Sequence, residues 1–132
     1  MSSSSSKQQE QQQSPLPPLV FVHGFKGSYL VDSKTGSTEW ITPLKAFGLF
    51  TSYPKLTLPL TWSSDDTQDR DTIVSNGIIH SVGYVYNVYG PFLDWASHSS
   101  GRRFHAFSWD WRRSMYEAVD KLLAYLQDLG EP

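Results

Sequence analysis

Directly after the apolar run Leu19–Val22 the chain reads His23-Gly24-Phe25-Lys26-Gly27, which places two glycines and an imidazole in one short loop. Glycines let a backbone approach a bound molecule closely, so this loop is either a plain strand-to-loop turn or one wall of an active site. A second chemically loaded stretch is Trp109-Asp110-Trp111-Arg112-Arg113. A carboxylate beside two guanidinium groups has the makings of an acid and an anion clamp. His80, His98 and His105 share no ligand spacing with one another or with carboxylates, so they are read as exposed or satisfied polar residues and no metal site is expected. The chain has no cysteine, which excludes disulfides and thiolate metal sites.

Such residues need elements to hold them. Leu19–Val22 is a continuous β-branched and aromatic run, the pattern of a strand covered on both faces in a parallel sheet. Phe104–Trp109 is a second candidate strand, introduced by the turn-like and basic stretch Ser99–Arg103. Thr42–Phe47 and Gly90–His98 read as short helices, with Pro91 at the favoured first position of the latter. Leu56–Leu60 and Ile78–Val82 read as short strands, and Pro59 restricts the first to a sheet edge. The rest of Tyr29–Ser100 is dense in turn residues and is expected to form a long irregular insertion. Towards the end, Ser114 and Glu117 have capping-box spacing ahead of Met115, Val119, Leu122, Leu123, Leu126 and Leu129, which repeat at helical intervals. Gly130 supplies a stop, so a helix is predicted over 115–129. Strand, long irregular insertion, strand, helix is the order of an α/β fold with an incomplete parallel sheet.

The 132 residues suffice for one modest domain. Met1–Ser14 is a Ser/Gln tract that cannot bury apolar surface, and the Pro-rich Ser14–Pro18 stiffens the chain after it. Residues 1–18 are therefore expected to be a disordered tail and 19–132 the folded part. The P-x-x-P within Pro15–Pro18 is read as a spacer. No apolar segment resembles a secretory signal or is long enough to span a bilayer, and with no cysteine a cytoplasmic setting is expected. A formal charge of −2 offers no basic field for nucleic acid. An aromatic content of 14% requires either an apolar core or an apolar binding surface.

Leu19–Leu30 (LVFVHGFKGSYL) resembles the strand and oxyanion loop of α/β-hydrolases, in which a His-Gly or Pro-Gly pair follows the third strand. Phe104–Leu129 resembles the next strand and helix of the lecithin:cholesterol acyltransferase family, whose Tyr-Asp-Trp-Arg motif reads Trp109-Asp110-Trp111-Arg112 here. Gly27–Trp40 is similar to that family's segment after the oxyanion loop, and Thr72–Gly83 to a stretch further on. The resemblance implies a partial α/β-hydrolase fold from a serine lipase or acyltransferase acting on lipid esters, with no cofactor. Acyl transfer builds negative charge on a carbonyl oxygen, and each preorganised backbone N–H stabilises it by about 3 kcal/mol. The family pattern implies the Lys26 amide as donor, the wider hydrolase fold the Phe25 amide. A lysine is unusual there, beside a lipid-binding cleft, and its side chain is expected to lean outward. Trp40 is implied to flank the site and touch acyl chains, whereas Trp62, Trp95, Trp109 and Trp111 are expected in core or cover. Asp110, Trp111 and Arg112 are implied to be structural, Asp110 holding the strand-to-helix turn and Arg112 pairing nearby. In this fold the catalytic histidine comes last, so His23 is expected to shape the loop by hydrogen bonding.

The departures bear equally on function. These enzymes carry their nucleophile in Gly-x-Ser-x-Gly, and no two glycines of this chain are four positions apart. The family places its serine strand after the helix that matches 114–129, with the acid and histidine later still. Its cysteine-bridged lid has no counterpart either. A triad works as a unit, so the expectation is an N-terminal portion with the oxyanion loop, without Ser-Asp-His, and inactive alone. One alternative is a non-catalytic small α/β protein that binds lipid or protein through its aromatic surface. Another is an unrelated small α/β binding domain. A fragment leaves its two best strands short of neighbours and is expected to expose apolar surface.

Overall fold

The computed structural model describes residues 16–46, Leu56, 71–83 and 86–130. Its elements in chain order are β1 (Leu19–Val22), β2 (Ser28–Asp32), β3 (Thr38–Trp40), α1 (Pro43–Ala46), β4 (Ile73–Ile78), β5 (Ser81–Val82), β6 (Tyr86–Asn87), α2 (Gly90–His98), β7 (Phe104–Phe107) and α3 (Met115–Leu129). The architecture is mixed α/β. β1 and β7 form a small parallel sheet in register from Leu19 opposite Phe104 to Val22 opposite Phe107. A three-stranded antiparallel sheet has the order β3-β2-β4, and β5 pairs antiparallel with β6.

Several expectations need correction. The stretch read as a long irregular insertion contains the antiparallel sheet. Its central strand, β2, does alternate, but the buried positions are Ser28, Leu30 and Asp32, so polar residues conceal the period. Ile78–Val82 is not one strand: Ile78 ends β4, and β5 begins at Ser81. Between them Ile79 donates its N–H to the Gly27 carbonyl, while the His80 carbonyl accepts from Val88 and Gly90, so these groups leave the ladder. Of the first predicted helix, Pro43–Ala46 is helical among the described residues. Of the strand expected over Leu56–Leu60 only Leu56 is described, in a 3₁₀ turn, and Phe47, Trp62 and residues 1–15 of the expected tail lie outside the described residues. β1 is only half-covered, with Val22 exposed, rather than buried on both faces.

β7 stops at Phe107, two residues short of the predicted end, because the Trp109 N–H is directed to the His23 ring instead of a neighbouring strand. α2 and α3 have the predicted limits. Ser114 caps α3, yet the capping box does not form. Its hydroxyl accepts from Tyr116 N–H at 3.3 Å, and Glu117 turns to Arg113 (2.8 Å) and Lys121 (3.2 Å). Gly130 closes the helix in the left-handed region, with φ 62°.

The core lies over the antiparallel sheet and α2, where Leu30, Ile73, Ile78, Leu93 and Ala96 are buried. No residue of α3 is fully buried. What fixes that helix is its first turn. Asp110 accepts from the Arg112 backbone N–H and from its guanidinium, Asp71 bridges Arg112 (2.6 Å) and Arg113 (3.1 Å), and Arg113 reaches Glu117. Burial alone favours a neutral Arg112, but its bonds to the carboxylates of Asp110 and Asp71 outweigh that and hold it charged. This cluster joins the start of β4 to the start of α3. Arg112→Met, which leaves the buried Asp110 carboxylate without its guanidinium, is expected to destabilise by about 3–5 kcal/mol, against about 1 kcal/mol for Ser114→Ala. Urea unfolding midpoints check the order, and equal losses contradict it.

Candidate functional site

The parallel register brings the ends of β1 and β7 to one level, so His23 emerges beside the residues that follow Phe107. There the two chains are clasped. Trp109 N–H donates to His23 Nε2 at 3.0 Å, the Trp109 indole N–H donates to the His23 carbonyl at 3.0 Å, and the rings stack with centroids 5.4 Å apart. His23 Nδ1 lies 2.8 Å from the Gly24 carbonyl. A carbonyl only accepts, so Nδ1 carries the hydrogen and Nε2 the lone pair. Burial pushes the His23 pKa below the ordinary imidazole value. A second ring proton at Nε2 would also face the Trp109 N–H, donor against donor.

The loop that follows is tightly turned. Gly27 N–H donates to the Gly24 carbonyl at 3.0 Å, and its carbonyl accepts from Ile79 N–H at 2.9 Å. A Cβ on Gly27 would stand 2.8 Å from His23 Nδ1 and 2.9 Å from the Gly24 oxygen, so no side chain fits. Lys26 adopts φ 62°, a left-handed conformation rare for residues with side chains. Gly24 N–H donates to the Tyr89 hydroxyl, and Ser28, buried, donates its hydroxyl to the Trp109 carbonyl at 2.8 Å. Two consecutive amides of the turn are left over. Phe25 N–H and Lys26 N–H have no partner among the described residues.

The first of these residues, Phe25, stands at one end of an apolar groove of about 510 Å³ between the parallel pair and α3, and Lys26 follows it in the chain. His23, Gly24 and Phe25 form that end, and Val22, Phe107, Trp109, Trp111, Val119 and Leu122 line its length. The apolar stripe of α3 borders an open groove, with Met115 65% and Val119 49% exposed. Phe25 is 70% exposed and meets Trp111 edge-on at 5.2 Å. Trp40 meets Trp111 at 5.3 Å and donates its indole N–H to the Lys26 carbonyl. It stands outside the groove lining, which takes Trp109 and Trp111 in its place. Lys26 is exposed, with Nζ 5.4 Å from the Phe25 ring centre and 5.5 Å from that of Trp40.

The loop residues His23–Gly27 are thus drawn together with Trp40 and Trp111, while Asp110 and Arg112 belong to the ion cluster at the foot of α3. Comparison with protein-family models, with curated proteins and with solved structures finds no match. The sequence reading missed the groove-lining role of Val119 and Leu122, although the apolar stripe of 115–129 was its signal. Nothing in the sequence marks Tyr89 as an anchor of Gly24. Among the described residues no group of three or more His, Asp or Glu side chains is placed to hold a metal ion. His98 turns its ring to the Asp94 carbonyl of its own helix.

Two measurements check this geometry. Gly27→Ala is expected to destabilise by roughly 1–3 kcal/mol through overpacking against His23 and the Gly24 carbonyl. The folded His23 pKa is depressed, so the unfolded chain binds more protons near its ordinary value of about 6.5. Stability from His23 is then complete above about pH 6.5 and falls on acidification, by up to about 1.4 kcal/mol per pH unit, until the folded pKa is passed. His23→Gln is expected to flatten this slope in urea midpoints taken between about pH 8 and pH 5. Equal slopes in both proteins contradict a buried neutral imidazole.

Proposed function

We propose that the chain supplies the oxyanion-binding wall and part of the acyl groove of a serine lipase or acyltransferase acting on lipid esters, within a partial α/β-hydrolase fold. The observation that carries the reading is the pair of unpartnered amides, Phe25 at the end of an apolar groove and Lys26 next to it in the chain. They follow the carboxyl end of a parallel strand, the usual place for ligands in α/β sheets. An acyl chain laid between α3 and the β1–β7 pair brings its ester carbonyl to those amides. Charge that develops on the carbonyl oxygen is then met by donors already in position.

The described residues offer this site no nucleophile. The Ser28 hydroxyl is buried and spent on the Trp109 carbonyl, and the hydroxyls of Ser75 and Ser108 bond to each other. His23 cannot act as a base towards a substrate while Nε2 accepts from Trp109. The purified chain is therefore expected to bind a long-chain ester without turning it over. Titration with methyl dodecanoate should change tryptophan emission saturably, and Val119→Asp should weaken that binding at least about tenfold by placing a charge in the groove. A fluorophosphonate probe should leave the chain unlabelled, and p-nitrophenyl ester release should stay at the buffer rate. Labelling, turnover, or ester binding indifferent to Val119→Asp overturns the reading.

A further inference from the structure

Arg113 lines the groove and Lys26 follows the groove-end residue Phe25, and the two cations differ in one respect. Arg113 is already neutralised by Asp71 at 3.1 Å and Glu117 at 2.8 Å. Lys26 makes no ion pair among the described residues and rests instead against the rings of Phe25 and Trp40. An aromatic face attracts an exposed ammonium by only about 0.5–1 kcal/mol, which places the charge without cancelling it. Phe25 itself belongs to the groove end, so this charge lies 5.4 Å from the centre of a ring at that end. The backbone adds a second indication. φ 62° at Lys26 costs an L-residue roughly 1–2 kcal/mol that glycine would avoid, so a cationic side chain is held at a position that disfavours any side chain. The chain as a whole carries a formal −2, so attraction of an anion has to be local to this rim.

We propose that the groove takes a long-chain carboxylate in preference to a neutral ester, with Lys26 as the residue that sets the preference. The hydrocarbon chain lies along Val22, Phe107, Trp111, Val119 and Leu122, and the carboxylate accepts from the Phe25 and Lys26 amides beside the Lys26 ammonium. A carboxylate gains from all three donors, since hydrogen bonds to charged groups are the stronger kind, whereas an ester carbonyl offers one neutral oxygen. A volume of about 510 Å³ lies within the range of small-molecule sites. The inference rests on the acyl-groove reading above and adds the headgroup. In the hydrolytic form of that reading, water adds the elements of H and OH across the ester and leaves an acid and an alcohol. The acid is then the species the site retains.

The test compares dodecanoate, methyl dodecanoate and dodecyltrimethylammonium on the full chain at submicellar concentration, read by tryptophan emission and by calorimetric stoichiometry. Dodecanoate is expected to bind one to one and about tenfold more tightly than the ester, with the cationic amphiphile weakest. Lys26→Met, which keeps the stem and removes the charge, should abolish the preference, so that dodecanoate binds that variant no more tightly than the ester does. Lys26→Arg should restore the preference, and added salt should erode it in the wild type. Lys26→Gln repeats the comparison if the methionine variant does not melt like the wild type. Equal binding of acid and ester, or a preference that survives Lys26→Met and Lys26→Gln, overturns the inference while leaving the groove reading intact. Failure of all three amphiphiles to bind removes both. Adsorption to phosphatidylserine vesicles without saturable dodecanoate binding also overturns it, in favour of a membrane-facing patch.

Discussion

The clasp between His23 and Trp109 is the constraint on which the rest of the described structure depends. It joins the ends of the two parallel strands by a ring–amide bond, an indole–carbonyl bond and a stacked pair of rings. A parallel pair of four-residue strands is a poor structure in isolation, because neither strand can be linked to the other by a tight turn. The clasp supplies what a hairpin supplies elsewhere. It also draws Trp109 out of the ladder, ends β7, and sets the carbonyl that Ser28 reaches from β2. Parallel pair, antiparallel sheet and loop thus converge on one residue.

The same geometry divides the molecule into a closed side and an open side. On the closed side β2, β4 and α2 bury aliphatic residues in the ordinary way. On the open side α3 stands off the parallel pair and leaves an apolar groove, held in place by ionic contacts at its first turn rather than by burial along its length. Apolar surface left uncovered beside free backbone donors is an arrangement suited to a ligand with an apolar tail and a polar head. The reading of an acyl site draws on that juxtaposition, and the Lys26 ammonium gives the head a sign.

Legibility in the sequence followed local chemistry. β1 was marked by its β-branched run, α2 by Pro91, and α3 by Ser114, Gly130 and its apolar period, because each signal acts within a turn or two of its own residue. β2 was not legible, since Ser28 and Asp32 occupy buried positions and are satisfied by partners far away or by the turn that follows. Ser28 bonds to Trp109, 81 positions on. The capping box failed for a related reason: Glu117 found Arg113 and Lys121 nearer to hand than the backbone it was expected to reach. At the loop, glycine content identified a close approach, but what approaches Gly27 is His23 of the same loop. The two unpaired amides were implied only by resemblance, and no residue type encodes an absent partner.

The missing space at Gly27 has a consequence for how such a chain can vary. The ring at 23 packs against both the hydrogen at 27 and the indole at 109, so it cannot be exchanged without disturbing both. Lys26, by contrast, is exposed and rests its ammonium against the rings of Phe25 and Trp40. A change of side chain at position 26 therefore leaves the packing of His23 against Gly27 and Trp109 in place, whereas a change at position 23 alters both of those contacts at once.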